Sequence, residues 1–437
     1  MNVLNLIEYP QIRYSECSDD EIIERGLMGH RLPSGQYAFA LSRGRSVYLA
    51  RDPIGCNKLF FGLDGEGQLA VGNRVARLWR HGIALAQIFS CPPGHVLEIS
   101  HNGICDRGGS GMSSVPASAS LSIGEFVEQS RAILNEAFAW LACAFKGCRF
   151  VICLSGGLDS SVIAAFAAAH LGDVVAASFS YLSADDLQRA LTGPAAALPT
   201  ASDDFRCAAD VAAALELPLL PVLRAREAVA SAIGASVRLC QDWRDFNVHC
   251  AAVNLFLAQE IRAAFPGETV VVLTGDLMNE YVCDYREEKI EDTFYYKIPR
   301  ISVDKRRKYF VRGLDAGDRE IGVFSAYGLV CCQPFAALAQ HYLRIPASML
   351  EQADLKCQLN APLLPSAVRP YVNQAKTRAQ VGGKDLGTLG IFHRLGIGEA
   401  QLRHTWRAQF PGETAQSCDE LIQFGRYKTP AYSPVAQ

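Results

Sequence analysis

The chain has 437 residues, of which 49% are hydrophobic and 20% are charged. It is therefore too long for one hydrophobic core and too apolar for a disordered protein. A formal net charge of −3 gives no indication of a nucleic-acid partner. The fifteen cysteines include no Cys-x-x-Cys pair, which argues against a zinc site and a disulfide framework. Without a leader pattern or an apolar run of membrane-spanning length, the sequence predicts a cytoplasmic protein with no membrane association.

The first part of the chain is predicted to be rich in β-structure. Apolar runs at 37–41, 46–50 and 59–62 are separated by Gly, Asp and Asn, as in short strands joined by turns. Residues 1–102 are accordingly predicted to form a small domain. A segment rich in Gly, Ser, Ala and Pro follows and predicts a linker over 103–121, which leaves 122–437 as the main domain.

The main domain is predicted to open with a capped helix. Ser122 can accept a hydrogen bond at the helix N-terminus, and Glu125 stands three residues later, which is the spacing of a capping box. Apolar residues at helical spacing continue to Leu141.

One strand–turn–helix pattern dominates the sequence. Residues 150–154 form an apolar run of the length of a buried strand, followed by Ser155, Gly156 and Gly157. Asp159 then opens a segment with helical spacing of apolar residues. Backbone N–H groups in a glycine turn at a helix N-terminus bind anions. No Gly-Lys-Ser/Thr ending is present, so this is not the phosphate loop of enzymes that cleave between the β- and γ-phosphates.

The same alternation continues along the chain. An apolar run at 174–181, a helical segment at 203–215 and a further run at 219–223 follow each other, and another buried strand is predicted at 269–273. Alternating strands and helices predict an α/β fold with an open, doubly wound parallel sheet, whose ligands lie at the carboxyl ends of the strands.

A polar segment at 241–249 interrupts the helices that are predicted between 225 and 264. It combines two acids, an arginine, an asparagine, a histidine and two aromatic residues. Two interpretations remain open, a solvated turn and one wall of a substrate site. In the second, the candidate contacts are Asp242, Arg244, Asn247 and His249.

Four blocks of the sequence resemble a known family. The turn at 155–161 resembles the Ser-Gly-Gly-x-Asp-Ser pyrophosphate loop of enzymes that cleave ATP between the α- and β-phosphates. Blocks at 274–280, 327–335 and 372–383 are similar to segments of asparagine synthetase and β-lactam synthetase. The resemblance implies ATP and Mg²⁺ as cofactors, and AMP and pyrophosphate as products. It also implies a small-molecule carboxylate that is joined to an amine in an amide or lactam, in the biosynthesis of a specialised metabolite.

The resemblance also assigns residues. Asp159, with Asp276 or Glu280, would hold the magnesium, and the ammonium of Lys376 would stabilise developing negative charge. Asn279 stands where the family has its second magnesium-binding aspartate, so one carboxylate is missing. The implied contacts to ATP and pyrophosphate are Leu154, Ser155, Gly156, Gly157, Asp159, Ser160, Ser161, Ser178, Phe179, Ser180, Gly275 and Lys376.

The N-terminal region resembles the glutaminase domain of the same family through the segments 51–62 and 92–99. In that domain a cysteine directly after the initiator methionine supplies the nucleophile and its amine base. Here Asn2 takes that place, and Cys17 lies too far into the chain to use a free amine. The region is also shorter than its counterpart. We therefore expect a structural remnant that does not hydrolyse glutamine.

The nature of the amine stays open at this level. Lactam-forming relatives use a Tyr–Glu pair as the base, and these two positions fall on Asp276 and near Asp315 or Asp318. Asp276 instead resembles the acid of the ammonia-using enzymes. Asn279 and Cys332, which replaces a family arginine, leave a non-catalytic nucleotide-binding protein as the alternative. The oligomeric state also stays open, with a homodimer as one alternative.

Overall fold

The structure is a computed structural model that describes residues 3–108, 121–190, 193, 201–285, 288–290, 293–295, 300–313, 317–372, 388–423 and 426–432. For residues 288–290, 293–295, 312 and 313 it describes the backbone alone. Within these ranges, no helix has both the length and the apolar character that a membrane span requires.

The N-terminal domain contains the predicted short strands, and also two helices that were not predicted. Its elements are β1 (Val3–Leu6), β2 (Ile12–Arg13), α1 (Asp19–Leu27), β3 (Gly35–Gln36), β4 (Ala38–Arg43), β5 (Ser46–Arg51), β6 (Phe60–Leu63), β7 (Leu69–Gly72), α2 (Val75–Arg80), a 3₁₀ turn (Leu85–Gln87), β8 (Phe89–Ser90), β9 (Val96–Ser100) and β10 (Gly103–Asp106).

Two four-stranded sheets pack face to face in this domain, with orders β1-β7-β6-β8 and β10-β9-β5-β4. Residues such as Phe61 from the first sheet and Leu49 from the second are fully buried between them. Helix α1 covers the outer face of the second sheet through Ile22 and Ile23. Phe60 of the first sheet faces the opposite way and belongs to the core shared with the C-terminal domain.

The predicted linker begins too early. Gly103–Asp106 is strand β10, paired antiparallel with β9 from Gly103↔Ser100 to Asp106↔Leu97. The domain therefore extends beyond residue 102, because this segment satisfies its backbone hydrogen bonds at the edge of the second sheet. Residues 109–120 lie outside the described ranges.

Up to β17, the C-terminal domain alternates helices with the parallel strands of one sheet, apart from the antiparallel pair β15–β16. Its elements to that point are α3 (Ile123–Ala144), β11 (Arg149–Cys153), α4 (Leu158–His170), β12 (Val174–Leu182), α5 (Ala184–Arg189), α6 (Asp203–Ala214), β13 (Leu219–Ala225), α7 (Ala228–Leu239), α8 (Asp245–Ala264), β14 (Val270–Leu273), α9 (Met278–Val282), β15 (Glu288–Ile290), β16 (Thr293–Tyr295), α10 (Val303–Gly313), α11 (Ile321–Ser325) and β17 (Val330–Cys332).

The central sheet has the order β13-β12-β11-β14-β17, and all its pairings are parallel. Strand order reverses at β11, so right-handed connections place helices on opposite faces of the sheet. This confirms the predicted open, doubly wound sheet preceded by a β-rich domain. The capping box at Ser122 and Glu125, which starts α3, is also present.

The remainder of the chain consists of short helices that pack on this sheet and on the N-terminal domain. These are a 3₁₀ turn (Pro334–Leu338), α12 (Ala339–Tyr342), α13 (Ala347–Leu350), α14 (Leu355–Asn360), 3₁₀ turns (Ala361–Leu363 and Arg369–Tyr371), α15 (Thr388–Arg394), α16 (Glu399–Arg407), α17 (Ala415–Glu420), β18 (Ile422–Gln423) and β19 (Arg426–Tyr427).

Candidate active site

The glycine loop lies at the carboxyl end of β11, the central strand, where the strand order reverses. The Ser155 N–H donates to Ser160 Oγ at 3.2 Å, and the two serine Oγ atoms are 3.0 Å apart. Ser160 Oγ and Ser161 Oγ each donate to the Gly157 carbonyl, at 3.1 and 2.8 Å. The side chains of the first helical turn thus fold back on the loop and fix its backbone. Leu154 ends the strand, buried, with its N–H on Ala177 O at 2.8 Å.

Two glycines are required by close packing around this loop. Gly156 has φ of +69°, and a Cβ there would lie 2.6 Å from Cys207 Cβ and 2.7 Å from Asp204 O of α6. A Cβ at Gly275 would lie 2.7 Å from the Ser160 nitrogen. The loop therefore packs directly against α6 at Gly156 and against the segment after β14 at Gly275. Only glycine permits the backbones to approach this closely.

The side chain of Asp159 points into a cluster of polar groups. Its Oδ2 accepts from Lys356 Nζ at 3.0 Å, and its Oδ1 accepts from Asn360 Nδ2 at 3.0 Å. Lys356 Nζ also donates to Asn279 Oδ1 at 2.7 Å and lies 3.2 Å from Asp284 Oδ2. Four separate segments, the loop, α9, the turn after α9 and α14, meet at this ammonium, and we call these side chains the lysine cluster.

The side chain of Lys356 is only 18% exposed, and the carboxylates around it explain how a lysine can be buried to this extent. Burial lowers the pKa of Lys356, but the carboxylates of Asp159 and Asp284 outweigh it and raise the pKa above its ordinary value. The ammonium is therefore charged at neutral pH.

The oxygen donors in this cluster fit Mg²⁺ of the kind that arrives with a nucleotide. Such magnesium is bound by one or two carboxylates together with phosphates and water, and Asp159, Asp284 and the Asn279 amide oxygen supply the protein part. Among the described residues, no three His, Cys, Asp or Glu side chains converge to hold a metal alone. The predicted ligands Asp276 and Glu280 have no contact with Lys356 among the described hydrogen bonds and ion pairs, and Asp284 stands in the cluster instead.

A second cluster of charges includes Glu280 of α9, and we call it the carboxyl cluster. Arg319 Nε donates to Glu320 Oε1 at 2.5 Å, and Arg319 Nη2 is 3.9 Å from Glu280 Oε1. The Tyr285 hydroxyl donates to Glu280. Asp276 acts on both glutamates electrostatically.

The pKa values of the two glutamates in this cluster are raised, as is common for carboxylic acids at catalytic sites. Burial raises the pKa of Glu320 to about 8, with Asp276 adding to the rise and Arg319 opposing it. Burial also raises the pKa of Glu280, against the effect of Arg319. One guanidinium faces three carboxyl groups, so a proton is retained among them near neutral pH.

The turn that connects the two clusters is strained. Leu277, between Asp276 and α9, has φ of +90°, and Cys283 after α9 has φ of +58°. Non-glycine residues in this region cost about 1–3 kcal/mol each and persist where the surrounding structure enforces them. Here the strained ends of α9 set Asn279 and Asp284 toward the lysine cluster and Glu280 toward the carboxyl cluster.

The predicted adenine and ribose positions lie beside the loop, on β12. Ser178 Oγ is buried and has no hydrogen-bond partner among the described residues, and Thr274 Oγ1 at the end of β14 shares this property. Phe179 is half-buried, with its ring parallel to Phe256 at 6.0 Å. Unpaired buried hydroxyls are costly, so Ser178 and Thr274 are suited to bind a ligand. Ser180 Oγ instead accepts the Ser202 N–H at 3.0 Å.

The predicted substrate wall at 241–249 is an internal network. Asp242 is fully buried, and its carboxylate accepts from the Arg244 guanidinium at 2.6 and 2.9 Å and from Asn247. His249 packs edge-on to Phe392, and burial lowers its pKa to about 3. These side chains make their contacts inside the protein. The segment is therefore neither a solvated turn nor an open wall of a substrate site. Helix α8 already begins at Asp245, inside the predicted interruption.

Asp318 occupies the domain interface. Its carboxylate accepts from the Tyr9 hydroxyl at 2.5 Å, from Gln241 Nε2 at 3.0 Å and from the Gly322 N–H at 2.8 Å. These hydrogen bonds hold the two domains together, so Asp318 has a structural role. Glu320, two residues later, is the acid in the carboxyl cluster. Lys376 and Asp315 lie outside the described residues.

Several residues of the site were not predicted from the sequence: Lys356, Asp284, Tyr285, Arg319, Glu320 and Asn360. Arg319 and Glu320 directly follow Asp318, near which the resemblance places the glutamate of the lactam-forming enzymes. Lys356 and Asn360 lie on a six-residue helix without a recognisable pattern, and no signal in the sequence marks them.

Comparison with known proteins gives one family match. Residues 142–323 match the model of the asparagine synthase family, and no curated protein matches the chain.

Solved structures give only distant similarities. A glutamine-dependent NAD⁺ synthetase from Acinetobacter baumannii is 15% identical, with 80% of this chain and 54% of that chain covered and a TM-score of 0.30. An NMN synthetase from Francisella tularensis is 14% identical, with coverages of 72% and 100% and a TM-score of 0.26. An NH₃-dependent NAD synthetase from Campylobacter jejuni is 14% identical, with coverages of 35% and 56% and a TM-score of 0.22. This chain thus spans little more than half of the Campylobacter and Acinetobacter proteins.

The family match includes the glycine loop, Asp159, both strained ends of α9, and the Arg319–Glu320 pair. Residues 142–323 are therefore similar to the asparagine synthase family over the part of the chain that carries these features.

Proposed function

We propose that this protein is an ATP-dependent ligase that adenylates a carboxylate and then joins it to an amine, releasing AMP and pyrophosphate. The observation that carries the proposal is the position of the glycine loop. It lies at the carboxyl end of the central strand of an asparagine synthase domain, with Asp159 on the lysine cluster and the free Ser178 hydroxyl beside it.

The chemistry requires activation because a carboxylate does not expel an oxide ion when an amine attacks. Attack of the carboxylate oxygen on the α-phosphorus breaks its bond to the bridging oxygen, releases pyrophosphate and gives an acyl-adenylate. The amine then attacks the acyl carbon, and AMP departs as a good leaving group. The protein has to bind pyrophosphate, stabilise charge on phosphate, and accept a proton from the amine.

The described residues can perform these tasks. The N–H groups at the start of α4 bind phosphate oxygens. Asp159, Asp284 and Asn279 would hold Mg²⁺, which when bound neutralises phosphate charge. The Lys356 ammonium lies at the same place and can contact the phosphates. Lys376, outside the described residues, remains a proposed charge-stabilising group.

The carboxyl cluster supplies the base. Glu320, with a pKa near 8, can accept a proton close to physiological pH, which is the range in which a general base is effective. Arg319 donates to its carboxylate, and Arg319 is also near Glu280, which accepts from the Tyr285 hydroxyl.

Ammonia is the second candidate for the amine, and the same cluster favours it. Asp276, Glu280 and Glu320 outnumber the Arg319 guanidinium, so the cluster attracts an ammonium ion. Glutamine is not the proposed source. Asn2 stands in place of the nucleophilic cysteine, and the fully buried guanidinium of Arg51 in the N-terminal domain donates to the carbonyls of Gly55, Asn57 and Cys91.

The test is a product analysis with ATP labelled at the α-phosphate. Carboxylic acids are screened with primary amines, with ammonium and with glutamine, and labelled AMP is quantified together with pyrophosphate and the amide mass. We expect AMP and pyrophosphate in equal amounts. Formation of ADP and orthophosphate would contradict the proposal, and glutamine-supported turnover with glutamate release would contradict its second part.

A further inference from the structure

The Lys356 ammonium occupies a position of the kind that a metal ion normally takes. Its three N–H groups face three acceptors from different segments: Asp159 Oδ2 at 3.0 Å, Asn279 Oδ1 at 2.7 Å and Asp284 Oδ2 at 3.2 Å. A lysine has three donors and no acceptor. The set is therefore complete, and the ammonium is held as a cation in an oxygen cage.

A second observation indicates that this cage is built for more than the lysine. Asn360 is fully buried and gives its Nδ2 to Asp159, while its Oδ1 has no partner among the described residues. An unsatisfied buried amide oxygen costs stability. Next to Asp159, it is an acceptor that a bound cation with its water could use.

We propose that Lys356 is a built-in cation, which holds the metal position while no nucleotide is bound and yields it to Mg²⁺ when ATP arrives. The inference rests on the proposed function, because a nucleotide triphosphate brings both the metal and the anionic phosphates that the displaced ammonium requires. No covalent bond changes in this exchange.

Charge balance is the reason for the exchange. With Lys356 in place, Asp159 and Asp284 are already partly neutralised, and a second cation within a few ångströms would be repelled. Phosphates reverse this balance, because they add negative charge that supports both the metal and the ammonium. Free Mg²⁺ should therefore bind weakly, and Mg²⁺ with nucleotide should bind well.

The exchange also explains Asn279. A carboxylate here would leave three acids around one ammonium, and a metal ion would then be needed for neutrality without nucleotide. An amide keeps an oxygen donor for the cation but removes one charge. The residue that departs from the family pattern thus matches a cage in which a lysine is the resting occupant.

The experiment measures Mn²⁺ binding without nucleotide, by electron paramagnetic resonance and calorimetry, on the full chain. Lys356→Met removes the cation, and Lys356→Gln removes the charge while keeping a donor that supports folding. Lys308→Met is the matched control, since Lys308 pairs with Asp304 at 3.0 Å on α10 and has 37% of its side chain exposed. Thermal unfolding is followed with and without Mn²⁺.

We expect both Lys356 variants to bind Mn²⁺ at least about tenfold more tightly than the parent and the Lys308 variant, as loss of a like charge at this distance implies. Their unfolding temperatures should fall without metal and recover with it. With an ATP analogue that cannot be cleaved between the α- and β-phosphates, the difference in Mn²⁺ affinity should disappear. Unchanged Mn²⁺ affinity in a folded Lys356→Gln protein would overturn the inference. Because no turnover is measured, this result is independent of whether AMP is formed.

Discussion

At the scale of single residues, the carboxyl cluster combines raised pKa values with the proposed role of the base. Asp276, Glu280 and Glu320 share the charge of Arg319, and the most perturbed of them has a pKa of about 8. A buried acid with this pKa contributes nothing to stability at alkaline pH, where its ionised form is disfavoured by burial. Its presence is better explained by proton transfer.

Glu320→Gln tests this role. If Glu320 accepts the proton of the amine, turnover should rise with pH through about 8 and then level off. The glutamine variant should be about a hundredfold slower or worse and should lose that rise. The pH–rate profile of amide formation checks it, with Glu351→Gln at an exposed position as the control. A variant that keeps both the rate and the rise would show that another group is the base.

Folding stability gives an independent readout of the same proton. The pKa of Glu320 is raised from 4.5 to about 8, so the folded protein holds this proton more tightly than the unfolded chain. Stability from this group is therefore fully present below about pH 4.5 and decreases as pH rises to about 8. The glutamine variant should lack this part of the pH dependence.

Residues were predictable where they belong to a continuous pattern. Ser155 to Ser161 lie between a strand and a helix that periodicity predicts, so the loop and Asp159 could be found. Lys356 comes to Asp159 from almost two hundred residues away, on a six-residue helix. Its position is decided by tertiary packing, and local sequence does not encode that.

At the scale of elements, the site depends on how closely the end of β14 approaches the start of α4. Gly275 makes this contact, with no room for a Cβ beside Ser160. The predicted elements were correct for the central sheet and for α3, because each has a long apolar period. Short elements such as β10 and the first turn of α8 were assigned wrongly, because edge pairing and buried polar contacts determine them.

Gly275→Ala should separate β14 from α4. The added methyl group would lie 2.7 Å from the Ser160 nitrogen, so the loop has to shift, at a cost of about 1–3 kcal/mol in unfolding free energy. ATP affinity should fall as well, because Ser160 and Ser155 hold the loop. Denaturant unfolding and nucleotide binding by calorimetry are the measurements.

Gly234→Ala is the matched control for this substitution. Gly234 is exposed in the middle of α7, with nothing within 4 Å of an added Cβ. Alanine should therefore stabilise the helix by about 0.5–1 kcal/mol and leave ATP binding unchanged. If Gly275→Ala loses neither stability nor ATP affinity, the prediction is wrong, because the loop then accommodates a Cβ at this position.

At the scale of the whole molecule, the N-terminal domain is part of the same folded unit as the C-terminal domain. Gln36 donates to Cys331 O at 2.7 Å and accepts the Gln333 N–H at 3.1 Å, which places the first domain on the edge strand β17. Gln241 bonds Asn73 and Val75 in the same manner. A remnant that had no structural role would not keep buried polar contacts of this kind.

Tyr9→Phe tests that coupling. The Tyr9 hydroxyl donates to the buried Asp318 carboxylate at 2.5 Å, and burial together with Asp318 raises the pKa of Tyr9, so the hydroxyl keeps its proton. Hydrogen bonds to buried charges contribute about 1.5–3 kcal/mol, and we expect the unfolding free energy to fall by about 2 kcal/mol. Tyr309→Phe, at a position that is 56% exposed, should have no measurable effect.

The second part of this prediction concerns the number of unfolding transitions. The two domains share one hydrophobic core, so calorimetry and denaturant unfolding should show a single transition in both the parent and Tyr9→Phe, with a denaturant slope that corresponds to the whole chain. Weakening the interface at Tyr9 should then lower the stability of both domains together. Two separate transitions in the variant, with the second at the parent's midpoint, would show that the N-terminal domain folds independently and that its contacts with β17 do not support the site.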